Sequence, residues 1–325
     1  MKFLKFIAAA GILVVVNAFA GAMANEAGTA DVALKRDAVC TKCHDESETK
    51  PVLSIYLTRH GVRADARTPT CQQCHGESEK HVRGDASQKG RARPDVVFGK
   101  DGVYEADEAP VQAAACLNCH KNGARSHWSG SQHESHDIAC AQCHRVHMRS
   151  DPVLVKTTQA EVCFACHKEQ RAQTHRYSTH PLDAGKMSCS DCHNPHGTTG
   201  PTLLVKNSVN DTCYTCHAEK RGPFLWEHGP VVDDCTNCHT PHGSNNAPLL
   251  KTRAPYLCQE CHVADHGRTL YSGQNLPGGA AATVAGTQTN ALLQSPNAQA
   301  NGRACLQCHS QVHGSNHPGG AKFLR

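Results

Sequence analysis

The stretch "CSDCHNPHG", Cys189 to Gly197, sets two thiols and an imidazole within five residues and adds a second imidazole three positions on. All 20 cysteines of the 325-residue chain lie in such C-x-x-C-H strings. The first cysteines are Cys40, Cys71, Cys116, Cys140, Cys163, Cys189, Cys213, Cys235, Cys258 and Cys305; the second are Cys43, Cys74, Cys119, Cys143, Cys166, Cys192, Cys216, Cys238, Cys261 and Cys308. Three chemistries use paired cysteines: disulfide scaffolds, zinc sites built from thiolates, and covalent attachment of c-type haem. The histidine decides between them. Histidine is 24 of 325 residues, so meeting it by chance after all ten pairs has a probability of about one in 10^11, and only haem attachment requires it. Ten covalently attached c-type haems are expected. Their proximal iron ligands are His44, His75, His120, His144, His167, His193, His217, His239, His262 and His309.

Haem iron has a second axial position, and its ligand tunes the chemistry. Beyond the N-terminal segment, methionine occurs only at Met148 and Met187, whereas fourteen further histidines are present. Bis-histidine ligation of every iron is therefore possible. A histidine three residues after a proximal one projects to the same side of a helix, so His193 and His196 cannot clamp one iron from opposite faces. The second histidine must reach another haem. The distal set assigned from spacing is His60, His81, His133, His147, His180, His196, His228, His242, His266 and His313, with His317 the competitor of His313. His127, His136, His175 and His317 are left without a role. With every iron six-coordinate, no catalytic residue and no enzymatic activity are expected; a multihaem reductase would need an open iron position.

The elements that carry these residues form a repeat. One unit runs C-x-x-C-H, spacer, His, C-x-x-C-H, His, which gives five two-haem units at about 40–115, 116–162, 163–212, 213–257 and 258–325. The connectors "CHRVHMRSDPVLVK", "CHNPHGTTGPTLLVK" and "CHTPHGSNNAPLLK" place proline, aliphatic residues and lysine at similar offsets. Pro152, Pro201 and Pro248 are read as turns before short helices. Aromatic residues are 5% of the chain, so the haems must form the core. The fold expected is a multihaem cytochrome c: short α-helices, each with its motif near the end, and irregular coil wrapped round a row of ten haems with almost no β-sheet. Trp128 and Trp226 are read as packing residues and Lys89–Arg93 as a solvated basic loop. The polar insert 82–115 and the Gly/Ala/Thr-rich insert 267–304 flank the regular centre.

Residues 1–24 read as a signal peptide: Lys2 and Lys5, an apolar run from Phe6 to Ala20, and Ala22-Met23-Ala24 before the cut. Residues 25–325 then form a single elongated domain, exported to the periplasm. The formal charge of +4 carries no basic stripe of the kind that binds nucleic acid.

The chain resembles the periplasmic decahaem cytochromes of the MtrA/DmsE family. The likeness spans the whole mature chain. It is carried by "NDTCYTCHAEKRGPFLWEHGP", "CSDCHNPHG", "LKTRAPYLCQECH" and "SQVHGSNHP". The resemblance implies an electron conduit inside an outer-membrane β-barrel porin of the MtrB type. It would link extracellular iron, by Fe(II) oxidation or by reduction of Fe(III) and metal oxides, to the periplasmic redox pool. Implied partners are that porin, an outer-surface multihaem cytochrome, and periplasmic or inner-membrane cytochromes. The alternatives are a soluble periplasmic shuttle and, further off, a multihaem reductase.

Overall fold

The computed structural model describes residues 35–45, 52–62, 65, 67–84, 90–99, 103–262 and 305–323, and the backbone of 283–284 and 287–288. The signal segment, His266 and most of the insert 267–304 lie outside the described residues. Eleven short α-helices occur among them: α1 (35–41), α2 (Cys71–His75), α3 (Glu79–Arg83), α4 (Ala109–Leu117), α5 (Gln132–Ser135), α6 (Cys140–Cys143), α7 (Lys156–Phe164), α8 (Lys168–Thr174), α9 (Val209–Tyr214), α10 (Gly229–Asp233) and α11 (Tyr256–Gln259). The one sheet among the described residues is a two-stranded ribbon, Thr283–Val284 against Thr287–Gln288. No helix among them is long and apolar enough to cross a membrane.

The motif itself dictates a helical turn. Its histidine N–H donates to the carbonyl of the first cysteine in the strings ending at His44, His120, His144, His193, His217, His239, His262 and His309. That bond closes one α-turn. Positions i, i+3 and i+4 then share a face, so two sulfurs and one imidazole project together.

Helix placement alternates along the chain. The first motif of each repeat sits at the C-terminal end of a helix: α1, α4, α7, α9 and α11. The second motif opens a helical turn instead: α2, α6, and the 3-10 turns at Cys189–Asp191, Cys235–Asn237 and Cys305–Gln307. This differs from the expectation of a motif near every helix end. At three of these five second motifs a side chain caps the start of the turn. Asp234 accepts from the Thr236 N–H at 2.7 Å, and Asp191 and Gln73 accept from the N–H groups of Ser188 (2.9 Å) and Thr70 (2.7 Å). Polar caps of this kind start helices.

The connector prolines act as read. Pro152 and Pro201 begin 3-10 turns, and Pro248 lies in a turn closed by the Asn246↔Leu250 bridge. Antiparallel bridges His193↔Leu204 and His239↔Leu250 fold two connectors back on their own motifs.

The chain falls into two compact units, Met1–Cys163 with Pro195–Gly197, and Phe164–Asn194 with Thr198–Arg325. The first buries Val97, Ala113, Trp128 and Ala139; the second buries Phe164, Leu204 and Leu250. So few buried apolar side chains among the described residues cannot offset the conformational entropy of ordering those residues. The missing apolar mass must come from something other than polypeptide.

Candidate metal centres

The imidazoles meet in facing pairs. In the first unit, ring centroids lie 6.2 Å apart for His44–His81, 5.9 Å for His120–His60, 6.1 Å for His75–His147 and 6.0 Å for His144–His196. In the second unit the separations are 6.0 Å for His193–His242, 6.5 Å for His217–His180, 6.2 Å for His239–His313 and 6.1 Å for His262–His228. Each pair joins one C-x-x-C-H histidine to one of the distal set. An imidazole nitrogen binds a transition metal at about 2.0–2.1 Å and lies about 1.1 Å from its ring centroid, so two imidazoles trans on one metal have centroids about 6.2 Å apart. The pairs fit one iron each.

The pairing follows a rule that spacing alone left open. A distal histidine lying between the two motifs of a repeat reaches the first motif of the next repeat: His60 to His120, His180 to His217, His228 to His262. One lying after the second motif reaches back to the second motif of the preceding repeat: His147 to His75, His196 to His144, His242 to His193, His313 to His239. His81, with no preceding repeat, turns to His44 of its own. His193 and His196 thus serve different pairs, as helix geometry requires.

Ring orientation is fixed from the other nitrogen. The second-motif histidines His75, His193 and His239 donate Nδ1–H to the carbonyls of Val96, Thr202 and Pro248, each at 3.0 Å; His309 donates to Lys322 and His144 to Asp151. Among distal histidines, His81 donates to Ala92 (2.8 Å), His133 to Pro195 (2.7 Å), His147 to Val52 (2.9 Å), His180 to Pro241 (2.9 Å), His228 to Val312 (2.9 Å) and His242 to Oε1 of Gln173 (3.2 Å). Each bond selects the tautomer that leaves Nε2 free for a metal. Desolvation lowers the His60, His75, His120, His239, His242 and His313 pKa values and takes His196 down to about 4. Burial thus favours the neutral, ligating form.

These eight pairs do not include His133 on α5 or His167 after α7, and the partner assigned to repeat five, His266, lies outside the described residues. The four surplus histidines take other work. His136 donates Nδ1–H to Gln132 at 2.7 Å, His175 caps α8, and Nδ1 of His317 accepts from the Gly319 N–H at 3.0 Å. The backbone of His127 lies against Gly197.

The sulfurs also meet in order. First cysteines of one repeat touch each other: Cys40 and Cys71, Cys116 and Cys140, Cys213 and Cys235, Cys258 and Cys305. Second cysteines feel each other across successive repeats: Cys74 and Cys119, Cys192 and Cys216, Cys238 and Cys261. Burial, then Cys235, pushes the free Cys213 thiol up to about 12, while Cys116 holds Cys140 down to about 7. Thioether formation would abolish these ionisations. Within each compact unit, then, a motif faces one neighbour through its first sulfur and the next through its second.

Two backbone anchors hold motif pairs together. Asp37, buried three residues before Cys40, accepts from the Cys71 N–H at 2.9 Å and the Tyr56 hydroxyl at 2.8 Å. Asn210, three before Cys213, accepts from the Cys235 N–H at 2.7 Å. A cleft of about 520 Å³ opens beside Cys74, walled by Val96, Pro110, Val111 and Ala114 and suited to the edge of an apolar macrocycle. The basic run departs from its reading as a solvated loop: Arg91 donates to the carbonyls of His81 (2.7 Å) and Val82 (3.5 Å), and Arg93 pairs with Asp107. Trp128 is buried, its ring 6.3 Å from that of His196, whereas Trp226 is half-exposed and bridges to Ser315.

Over 291 residues the chain is 45% identical to the multihaem cytochrome MtrA of Shewanella baltica, covering 88% of this chain and 80% of that protein. The chain belongs to the MtrA family of multihaem cytochromes. It is an electron-transfer protein with covalently bound c-type haem. Residues 180–222 and 228–267 match the doubled CXXCH motif family, and 71–158 match the NrfB-like c-type cytochromes. The cytochrome c-type proteins NrfB of Haemophilus influenzae and Escherichia coli are each 28% identical, over 41% and 42% of this chain and 65% and 67% of their own lengths. The MtrA likeness therefore takes in about twice as much of the chain as the NrfB likeness.

Proposed function

We propose that this MtrA-family chain is a decahaem conduit carrying electrons across the outer membrane inside a porin sheath. The observation behind it is the alternating order of the sulfurs, first to first and second to second. Within each compact unit it makes one attachment site the neighbour of the next, as a relay needs and a single reaction centre does not. Bound haem supplies one-electron iron chemistry. The chain's residues do the rest. Twenty cysteines hold ten macrocycles through thioethers, and the twenty histidines assigned above cap both faces of each iron. Capped faces exclude substrate, which weighs against a reductase. The Nδ1 bonds keep the rings from turning away when the charge at iron changes.

The porin, the outer-surface cytochrome and the periplasmic donors or acceptors come from the family resemblance, as does the link to extracellular iron. The signal-like segment 1–24 supports export to the periplasm. Bare polypeptide with charged groups cannot face lipid, so passage through the membrane needs the barrel. The partners' potentials set the direction of flow. A second reading, a soluble periplasmic shuttle, draws on the NrfB-like stretch 71–158. Co-purification from outer membranes tests the choice. The conduit reading expects a stoichiometric complex with an MtrB-type β-barrel that reduces an acceptor enclosed in liposomes. A monodisperse soluble pool, with no complex and no transfer across the bilayer, overturns it.

A further inference from the structure

The three connectors after the second motif of repeats two, three and four share one plan and differ at one contact. In the later two, His193 and His239 donate Nδ1–H to a backbone carbonyl nine residues on, Thr202 or Pro248. In the first, the acceptor is a carboxylate: Oδ2 of Asp151 lies 2.7 Å from Nδ1 of His144. The residue before the connector proline is Asp151 there, against Gly200 and Ala247 in the sister connectors, so neither sister can offer a charge from that position. Among the five second-motif histidines, His75, His193, His239 and His309 donate Nδ1–H to backbone carbonyls, whereas the His144 bond ends on an ionisable oxygen. Glu219 lies 3.8 Å from Nδ1 of His217, too far for a hydrogen bond.

The carboxylate is fixed in place. Asp151 caps the turn Pro152–Leu154, and its Oδ1 accepts from the N–H groups of Arg145 (3.2 Å) and Val153 (3.4 Å). Its side chain is 13% exposed, against 30% for the imidazole, so solvent screens the contact little. A carboxylate on the outer nitrogen of a ligating histidine raises the basicity of the inner one. A more basic ligand stabilises Fe(III) over Fe(II), and a nearby negative charge opposes the added electron.

We propose that Asp151 sets the haem attached at Cys140 and Cys143 to the lowest reduction potential of the five second-motif haems, tuning it through His144 without being needed to hold that ring in place. This rests on the bis-histidine reading of the sites. The fourth haem is then the last of these five to fill and the first to empty, which puts an energetic step in the relay.

The test is a spectroelectrochemical titration of the full-length holo-protein, with Asp151→Asn and Asp151→Glu beside the parent. The parent must first show ten low-spin haems; if it does not, the reading of the sites fails and the variants are not what sank it. In Asp151→Asn, one electron equivalent in ten at the reducing end should shift at least tenfold in its reduced-to-oxidised ratio at fixed potential, which is about 59 mV for a one-electron couple. Asp151→Glu should keep the parent's curve. Superimposable Asn and parent curves overturn the proposal. So does a high-spin haem in Asp151→Asn, which would make Asp151 a support for His144 rather than a tuner.

Discussion

Replacing Gly243 by alanine should strip one iron of a ligand. Gly243 follows His242 with φ at +147°, and a Cβ there would lie 2.9 Å from the carbonyl carbon of Gln173 and 3.0 Å from Cγ2 of Thr179, with the Gln173 oxygen closer still. Carbon atoms pack at about 3.5 Å or more, so the segment must move by about 0.6 Å at least. It has little freedom to do so. Ser178 and Ser244 exchange backbone bonds of 2.8 and 2.9 Å, and His242 is tied to Gln173 itself. Metal–ligand distances tolerate about 0.2 Å, so the displacement exceeds what an iron held between His193 and His242, as proposed, could follow. The backbone conformation alone costs alanine about 1–3 kcal/mol. Near-infrared magnetic circular dichroism of oxidised Gly243→Ala holo-protein should show one haem of ten turned high-spin, with a lower Tm. Met148→Gly, at the matching position after His147, serves as the control and should stay fully low-spin. A Gly243→Ala protein with the parent's spectrum and Tm refutes the reasoning.

Further outcomes are expected. Asn210→Ala removes the acceptor of Cys235 N–H and the donor to Val231 and Val232, both at 2.9 Å; a loss of about 2–4 kcal/mol should appear as a lowered Tm of the holo-protein. Five imidazole pairs are near parallel, with interplanar angles of 9–28°, and three are crossed at 50–83°. Low-temperature EPR should therefore resolve a rhombic and a highly anisotropic low-spin class, and a single class would contradict the ring geometry. Arg91→Ala frees the carbonyls at the end of α3 and should lower stability by about 1 kcal/mol without changing spin state, checked by thermal melting.

Much of this was legible because the motif is local. Five consecutive residues fix a helical turn, two sulfurs and an imidazole, so motif number and the proximal candidate of each motif follow from the string. Distal candidates such as His196 and His242 stood out because they trail a motif by three residues. Their destinations did not. His147 meets His75 across 72 residues of chain because Val52 accepts its Nδ1–H, a contact no local pattern encodes. The alternation of helix-ending and helix-opening motifs was hidden in single capping residues such as Asp234. Arg91 read as part of a charge run because a run gives no sign of which arginine finds a carbonyl. Asp151 sits before a connector proline, and nothing in the string shows that its carboxylate meets His144.

The central claim is that every iron is held between two imidazoles on a chain carrying ten haems. Near-infrared magnetic circular dichroism of the oxidised holo-protein, calibrated against haem content per polypeptide, measures it directly. The account predicts ten bis-imidazole low-spin ferric haems per chain; a high-spin fraction, a His/Met signature or fewer than ten haems contradicts it.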